Sequence, residues 1–169
     1  NNDKGLTNKF ELSNGFYTYH FKNDSDFKGT STREVKRGLI QFHFCVKGRA
    51  NFIFNNGNYI LPIDQNKVLL LFNPEKDLPI NLNLNPKSSI LSIIISIKKF
   101  HSLFSSDAEN IPFLSDENTA KKYYESMIIT PSMNFVINQI IKTKVNINMK
   151  SLYITGKIYE LLSLCFSKS

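Results

Sequence analysis

Residues Gly38 to Phe72 read GLIQFHFCVKGRANFIFNNGNYILPIDQNKVLLLF, and the fold turns on them. Ile40 to Val46 alternates two kinds of side chain with a period of two, the mark of a strand with two distinct faces. Gln41, His43 and Cys45 lie on one face, and Ile40, Phe42, Phe44 and Val46 on the other. Neither set suits bulk water, so both faces are expected to meet an enclosed or apolar neighbour. Lys47-Gly48-Arg49 breaks the alternation and Ala50 to Phe54 resumes it, which predicts a hairpin or a corner leading from one sheet to another. Asn55-Asn56-Gly57-Asn58 supplies residues that tolerate positive φ, the chemistry of a tight turn, ahead of a third strand from Tyr59 to Ile63. Short strands at this spacing predict an all-β sandwich or barrel.

Outward from this stretch, Phe10 to Leu12 and Phe16 to Phe21 are short strands split by Asn14-Gly15, and the polar run Lys22 to Thr32 reads as a surface loop. Pro79 to Asn85 alternates strictly, sending Ile80, Leu82 and Leu84 inward and Asn81, Asn83 and Asn85 to water. Ser88 to Ile97 is the last strong strand, with a wet serine face opposite Leu91, Ile93, Ile95 and Ile97. From Lys98 the period changes. Lys98 to Phe104 suits one or two helical turns, and the acidic loop Ser105 to Glu117 has Ile111, Phe113 and Leu114 to pack onto the strands. Thr130-Pro131 is a helix start, a capping side chain followed by the one residue that loses nothing at the first helical position. Met133, Val136, Ile137, Ile140 and Ile141 then share a face. A second helix from about Met149 to Phe166 aligns Ile154, Ile158, Leu161, Leu162 and Cys165, so the pair reads as an antiparallel helical hairpin.

A chain of 169 residues can bury one sizeable core, and 41% hydrophobic and 12% aromatic residues without any Trp fit a Phe-lined β core. The net charge of +7 is spread over scattered lysines. Its densest group, Arg33, Lys36 and Arg37, is too small to track a phosphate backbone, so direct DNA binding by this chain is not expected. Cys45 and Cys165 sit far apart in apolar sequence and read as free buried thiols of a reducing cytoplasm. No signal peptide opens the chain and no apolar run reaches membrane-spanning length, so no membrane partner is expected. The opening Asn1-Asn2-Asp3, without Met, reads as an excised piece of a longer protein.

In order and spacing, Val46-Lys47-Gly48, Asn55-Asn56-Gly57, Tyr59 to Ile63 and Val68 to Pro74 resemble the central strands of a cupin barrel. FCVKGRANFIFNNGNYIL followed by LLLFNP resembles more closely the N-terminal sensor domain of AraC-family transcriptional regulators, with the cupin part over about Phe10 to Ile97. The resemblance implies a mainly β fold with C-terminal helices. Residues 1–97 would form a cupin-like jelly-roll β-barrel, and 98–169 a loop and α-helical hairpin packed on it for dimerisation. It further implies a bacterial, cytoplasmic sensor of a small-molecule effector, homodimeric through those helices. DNA would be bound only by a helix-turn-helix region following Ser169. A non-catalytic ligand-binding cupin is the binding-module alternative, and a cupin enzyme such as an isomerase or dioxygenase the catalytic one.

Many cupins are metalloenzymes whose first motif converges two His and a Glu on one barrel face. Aligned on Gly48, Gln41 stands at the Glu position, while the His positions fall on Glu34 and Lys36, or on Val35 and Arg37. The second motif's His lands near Asp77, and His20, His43 and His101 lie on separate segments. No metal, cofactor or catalytic residue is therefore expected. No Gly-rich phosphate loop, G-x-S-x-G or Cys-x-x-Cys is present. His43, flanked by Phe42 and Phe44, is either a core histidine or a polar ligand contact inside the barrel. Since the Glu that Gln41 replaces points inward in cupins, the expected ligand pocket comprises Gln41, His43, Cys45, Phe52, Phe54 and Phe72. The expected dimer surface comprises Ile154, Ile158, Tyr159, Leu161, Leu162 and Cys165.

Overall fold

The computed structural model describes residues 6–103 and 122–167. Its strands form one long antiparallel ribbon, rolled up. At the tip, β5 (Arg49–Phe54) pairs with β6 (Tyr59–Asp64). Away from the tip, β4 (Leu39–Lys47) pairs with β7 (Lys67–Phe72), β3 (Gly29–Arg33) with β8 (Ile80–Leu84), and β2 (Phe16–Asn23) with β9 (Ser88–Ser96). Rolling sets β9 beside β4 and β8 beside β5. The result is two sheets, β1-β2-β9-β4-β7-β10 and β3-β8-β5-β6, with β1 (Thr7–Ser13) and β10 (Tyr123–Ile128) as edges of the first. An eight-stranded ribbon rolled into two facing sheets is a jelly roll, the architecture of cupins.

The turns follow from local chemistry. At the tip Asn55 and Asn56 adopt φ of 53° and 54° and Gly57 92°, which Asn and Gly accept with little strain. Lys47-Gly48-Arg49 proves to be the sheet-to-sheet corner, since β4 and β5 belong to different sheets. There Gly48 has φ +73°, and a Cβ on it would stand 2.8 Å from Ser88 Cα and 2.9 Å from the Lys87 carbonyl oxygen. Only glycine lets the backbones approach this closely.

Both faces of β4 are buried, as its alternation requires. Ile40, Phe42 and Phe44 lie on the outer face, where α1 (Ile97–Leu103) brings Phe100 to 5.7 Å from Phe42, ring centre to ring centre. Gln41, His43 and Cys45 face the second sheet, with the His43 ring 4.5 Å from Phe52 of β5. Ile80, Leu82 and Leu84 point inward as expected. Three expectations need correction. Gly29–Arg33 is a strand rather than loop, because its buried positions, Gly29 and Ser31, are small instead of apolar. The serine face of β9 is not wet, since Ser88 and Ser92 are both buried. Tyr123–Ile128 adds a strand beside β7, so the sheet continues past residue 97. The expected packing of Ile111, Phe113 and Leu114, like the end of the expected helical turns at Phe104, lies outside the described residues.

The chain divides into two compact units after Ile128. In the second, α2 (Pro131–Ile141) starts where Thr130 Oγ1 accepts from the Met133 amide at 3.2 Å, and α3 (Ile147–Phe166) where Asn146 Oδ1 accepts from the Asn148 amide at 3.0 Å. The two helices pack on each other. Met133, Val136, Ile137 and Ile140 of α2 are buried, and so are Ile154, Ile158, Leu161 and Leu162 of α3. No helix among the described residues is long and apolar enough to cross a membrane.

Candidate ligand-binding site

The β4–β9 register sets His43 opposite Ser92, and the period of β4 sets Gln41 beside His43 on the same face. The three form a chain of hydrogen bonds inside the barrel. Ser92 Oγ lies 2.6 Å from His43 Nδ1, His43 Nε2 lies 2.8 Å from Gln41 Oε1, and Gln41 Nε2 donates to the Leu78 carbonyl at 2.7 Å. One end dictates the polarity of the whole chain. A carbonyl oxygen only accepts, so Gln41 turns its NH2 toward Leu78 and its Oε1 toward His43. His43 therefore carries its proton on Nε2, and Nδ1 accepts from the Ser92 hydroxyl. Burial, with no carboxylate to offset it, pushes the His43 imidazole down from 6.5 to about 3, so the ring is neutral at physiological pH.

Such a cluster is costly unless complete, because a buried polar group left unpaired loses about 1–3 kcal/mol. Here all three side chains are satisfied. His43 was legible as an inward polar residue; its partner Ser92 was not, since only the register reveals that the serine face of β9 meets it. Cys45 lies on the same face with its Sγ 3.5 Å from the Gly48 carbonyl oxygen, and burial pushes its thiol up to about 12. It is a protonated core thiol.

Phe52 is buried against His43, and Phe54 stacks on Phe52 with ring centres 6.5 Å apart. Phe72 does not join them. Its Cα partner on β4 is Ile40, so it points to the outer face with Phe42, and Leu71, the partner of Gln41, takes the inward place. Placing Phe72 requires the β4–β7 register, which its own strand pattern does not contain.

Phe54 and Leu71 also line a half-open cleft of about 630 Å3 between the first strands of the ribbon tip and the β7–β8 connection. Tyr59 and Tyr124, each 55% exposed, stand at its mouth, and Leu78 and Pro79 belong to its wall. Lys76 and Lys122 supply positive charge and Asp77 negative, but the Asp77 carboxylate already accepts from the Arg37 amide at 2.8 Å. The wall is anchored at several further points. Gly38 N–H donates to Asn73 O at 2.9 Å, Leu78 N–H to Val35 O at 3.1 Å, and Gln41 to Leu78 as above. The Ser92–His43–Gln41 chain thus stands behind the cleft and ends on its wall. Sequence reasoning missed this cleft except at Phe54, because its members come from loops and strand ends rather than one alternating face.

Among the described residues no group of three or more His, Cys, Asp or Glu side chains is placed to hold a metal. His20 bonds Ser89 at 2.8 Å and His101 is exposed on α1, both apart from His43. On α3 the stripe expected to dimerise is largely spent within the chain. Ile154, Ile158, Leu161 and Leu162 are buried, Tyr159 and Cys165 half-buried, and among the described residues of this unit the large apolar side chains that are exposed are Phe135, Met149 and Leu152. Periodicity marked the apolar face correctly but not that one chain already covers it.

No family model matches the sequence, and no curated protein matches it. Solved structures do. Apo ToxT K231A from Vibrio cholerae strain SCE256 superposes with a TM-score of 0.54 at 16% identity, over 93% of this chain and 59% of that one. ToxT from Vibrio cholerae O395 bound to (E)-4-(8-methylnaphthalen-1-yl)but-3-enoic acid gives 0.50 at 13%, over 91% and 59%. The AraC-like transcriptional activator CuxR gives 0.50 at 7%, over 96% and 55%. The chain therefore spans less than two thirds of each of these proteins, and at such identities the likeness is one of fold. With its rolled ribbon and helical hairpin, this chain has a jelly-roll fold similar to that found within ToxT and within the AraC-like transcriptional activator CuxR.

Proposed function

We propose that this chain is the effector-sensing part of a transcription regulator, and that its cleft takes a small apolar carboxylic acid. The observation that carries this reading is the cleft itself: aromatic and aliphatic walls with two lysines at the edge and the one carboxylate already engaged. Its volume of about 630 Å3 lies within the usual range of small-molecule sites, and the combination suits a molecule with an apolar body and one anionic end. The aryl-butenoic acid bound by ToxT is a molecule of this kind. DNA recognition would belong to a part of the protein beyond this chain. A homodimer through the helical unit would use the exposed Met149 and Leu152 rather than the buried stripe.

The naphthyl-butenoic acid is itself a suitable probe. Titrated into the protein by calorimetry, it should bind saturably, and Lys76→Ala with Lys122→Ala should weaken binding about tenfold, as loss of a charge-assisted contact does. Absence of binding, or equal affinity in the double variant, would contradict this reading.

A further inference from the structure

The helical unit has a groove of about 650 Å3 where α2 turns into α3. Phe135, 66% exposed, and Tyr153 give it apolar surface, and Lys142 and Lys144 give it a basic rim with no carboxylate among its lining residues. The only acidic residue among those described in this unit, Glu160, is paired with Lys157 at 3.3 Å. Lys142 and Lys144 have no ion-pair partner among the described residues. Gln139, also in the lining, has its Oε1 buried without a hydrogen-bond partner among the described residues. The frame is fixed: Lys142 N–H closes α2 on Asn138 O at 2.9 Å, and Val145 N–H donates to Thr143 Oγ1 at 3.2 Å.

Two features have to be answered at once, namely an exposed aromatic surface and two cations. Duplex DNA presents its phosphate backbone to such a rim and so answers only the cations, leaving Phe135 and Tyr153 uncovered. A second copy of the chain would bring the same two lysines to a two-fold contact, basic against basic. We propose that this groove docks an acidic, apolar polypeptide segment of a partner protein. The segment's apolar side chains cover Phe135 and Tyr153, and its carboxylates pair with Lys142 and Lys144. This surface is independent of the ligand cleft.

The test is fluorescence anisotropy of the whole chain with a short fluorescein-labelled peptide of alternating Glu and Leu with a central Phe. Saturable binding is expected, weakened at least about tenfold by Lys142→Glu with Lys144→Glu, as reversed charge pairs are. The same peptide with Lys for Glu should not bind, and duplex DNA should not displace the acidic one. The charge-reversed variant should melt as the wild type does, its changed side chains lying exposed at the groove surface. The proposal is overturned if the acidic peptide does not bind, if it binds the charge-reversed protein equally, or if duplex DNA displaces it. It is also overturned if sedimentation shows that charge reversal dissociates a dimer, which would make a second copy the occupant.

Discussion

The barrel interior and the helical hairpin handle buried polarity in opposite ways. Between the sheets, Ser92, His43 and Gln41 are enclosed by aromatic and aliphatic side chains, and every one has its partner. On the hairpin, Gln139 Oε1 is buried with none among the described residues, and Phe135 nearby in sequence is exposed. A complete network rigidifies the structure around it, whereas exposed apolar surface such as Phe135 leaves area open to a further contact.

The largest effect that would break this contrast is expected at Phe52, buried in the barrel against His43. Phe52→Ala should cost about 3–5 kcal/mol in chemical denaturation, and Leu152→Ala, at a position 74% exposed, should stay within about 0.5 kcal/mol. Comparable losses at the two sites would erase the distinction. Next comes Ser92→Ala, which leaves His43 Nδ1 without its donor and should cost about 1–3 kcal/mol. A loss near zero would mean that the Ser92–His43 hydrogen bond contributes nothing to the barrel interior.

Acid sharpens the same point. The folded state lowers the His43 pKa from 6.5 to about 3, so the unfolded chain binds the proton more readily in that window. The contribution is fully present above about pH 6.5 and is lost as pH falls toward 3, by up to about 1.4 kcal/mol per unit. His20, also lowered by burial, acts in the same direction. A His43→Gln variant should flatten the dependence; an unchanged slope would place its origin elsewhere. The smallest effect concerns Cys45, whose thiol at about 12 should resist a thiol reagent at neutral pH until the barrel unfolds. Rapid labelling of the native protein would show that the core opens more readily than its packing implies.

What the sequence disclosed follows the strength of its local patterns. The alternation of Ile40 to Val46 and of Pro79 to Asn85, the Asn55-Asn56-Gly57 turn and the Thr130-Pro131 cap each carry their own structural reason, and each element is present. Gly29–Arg33 carried none, because a strand that buries glycine and serine looks like a loop. Of the candidate pocket, Gln41, His43, Cys45 and Phe52 share the barrel interior, whereas Phe72 depends on a register set by a distant strand. Ser92 and Leu78 were invisible for the same reason: their roles arise only when β9 and the β7–β8 connection come alongside β4. On α3 the pattern located the apolar stripe, but how much of it remains exposed is a property of packing.

The central claim is that the cleft is the sensing site and that the buried hydrogen-bond chain stands directly behind it. Nuclear magnetic resonance of the labelled protein during titration with the naphthyl-butenoic acid tests it most directly. The expected result is a set of shift changes at Phe54, Leu78, Tyr59 and Tyr124, with the His43 Nε2–H signal, diagnostic of its tautomer, moving along with them. Changes confined to the helical unit, or a His43 protonated on Nδ1 and indifferent to the titration, would contradict it.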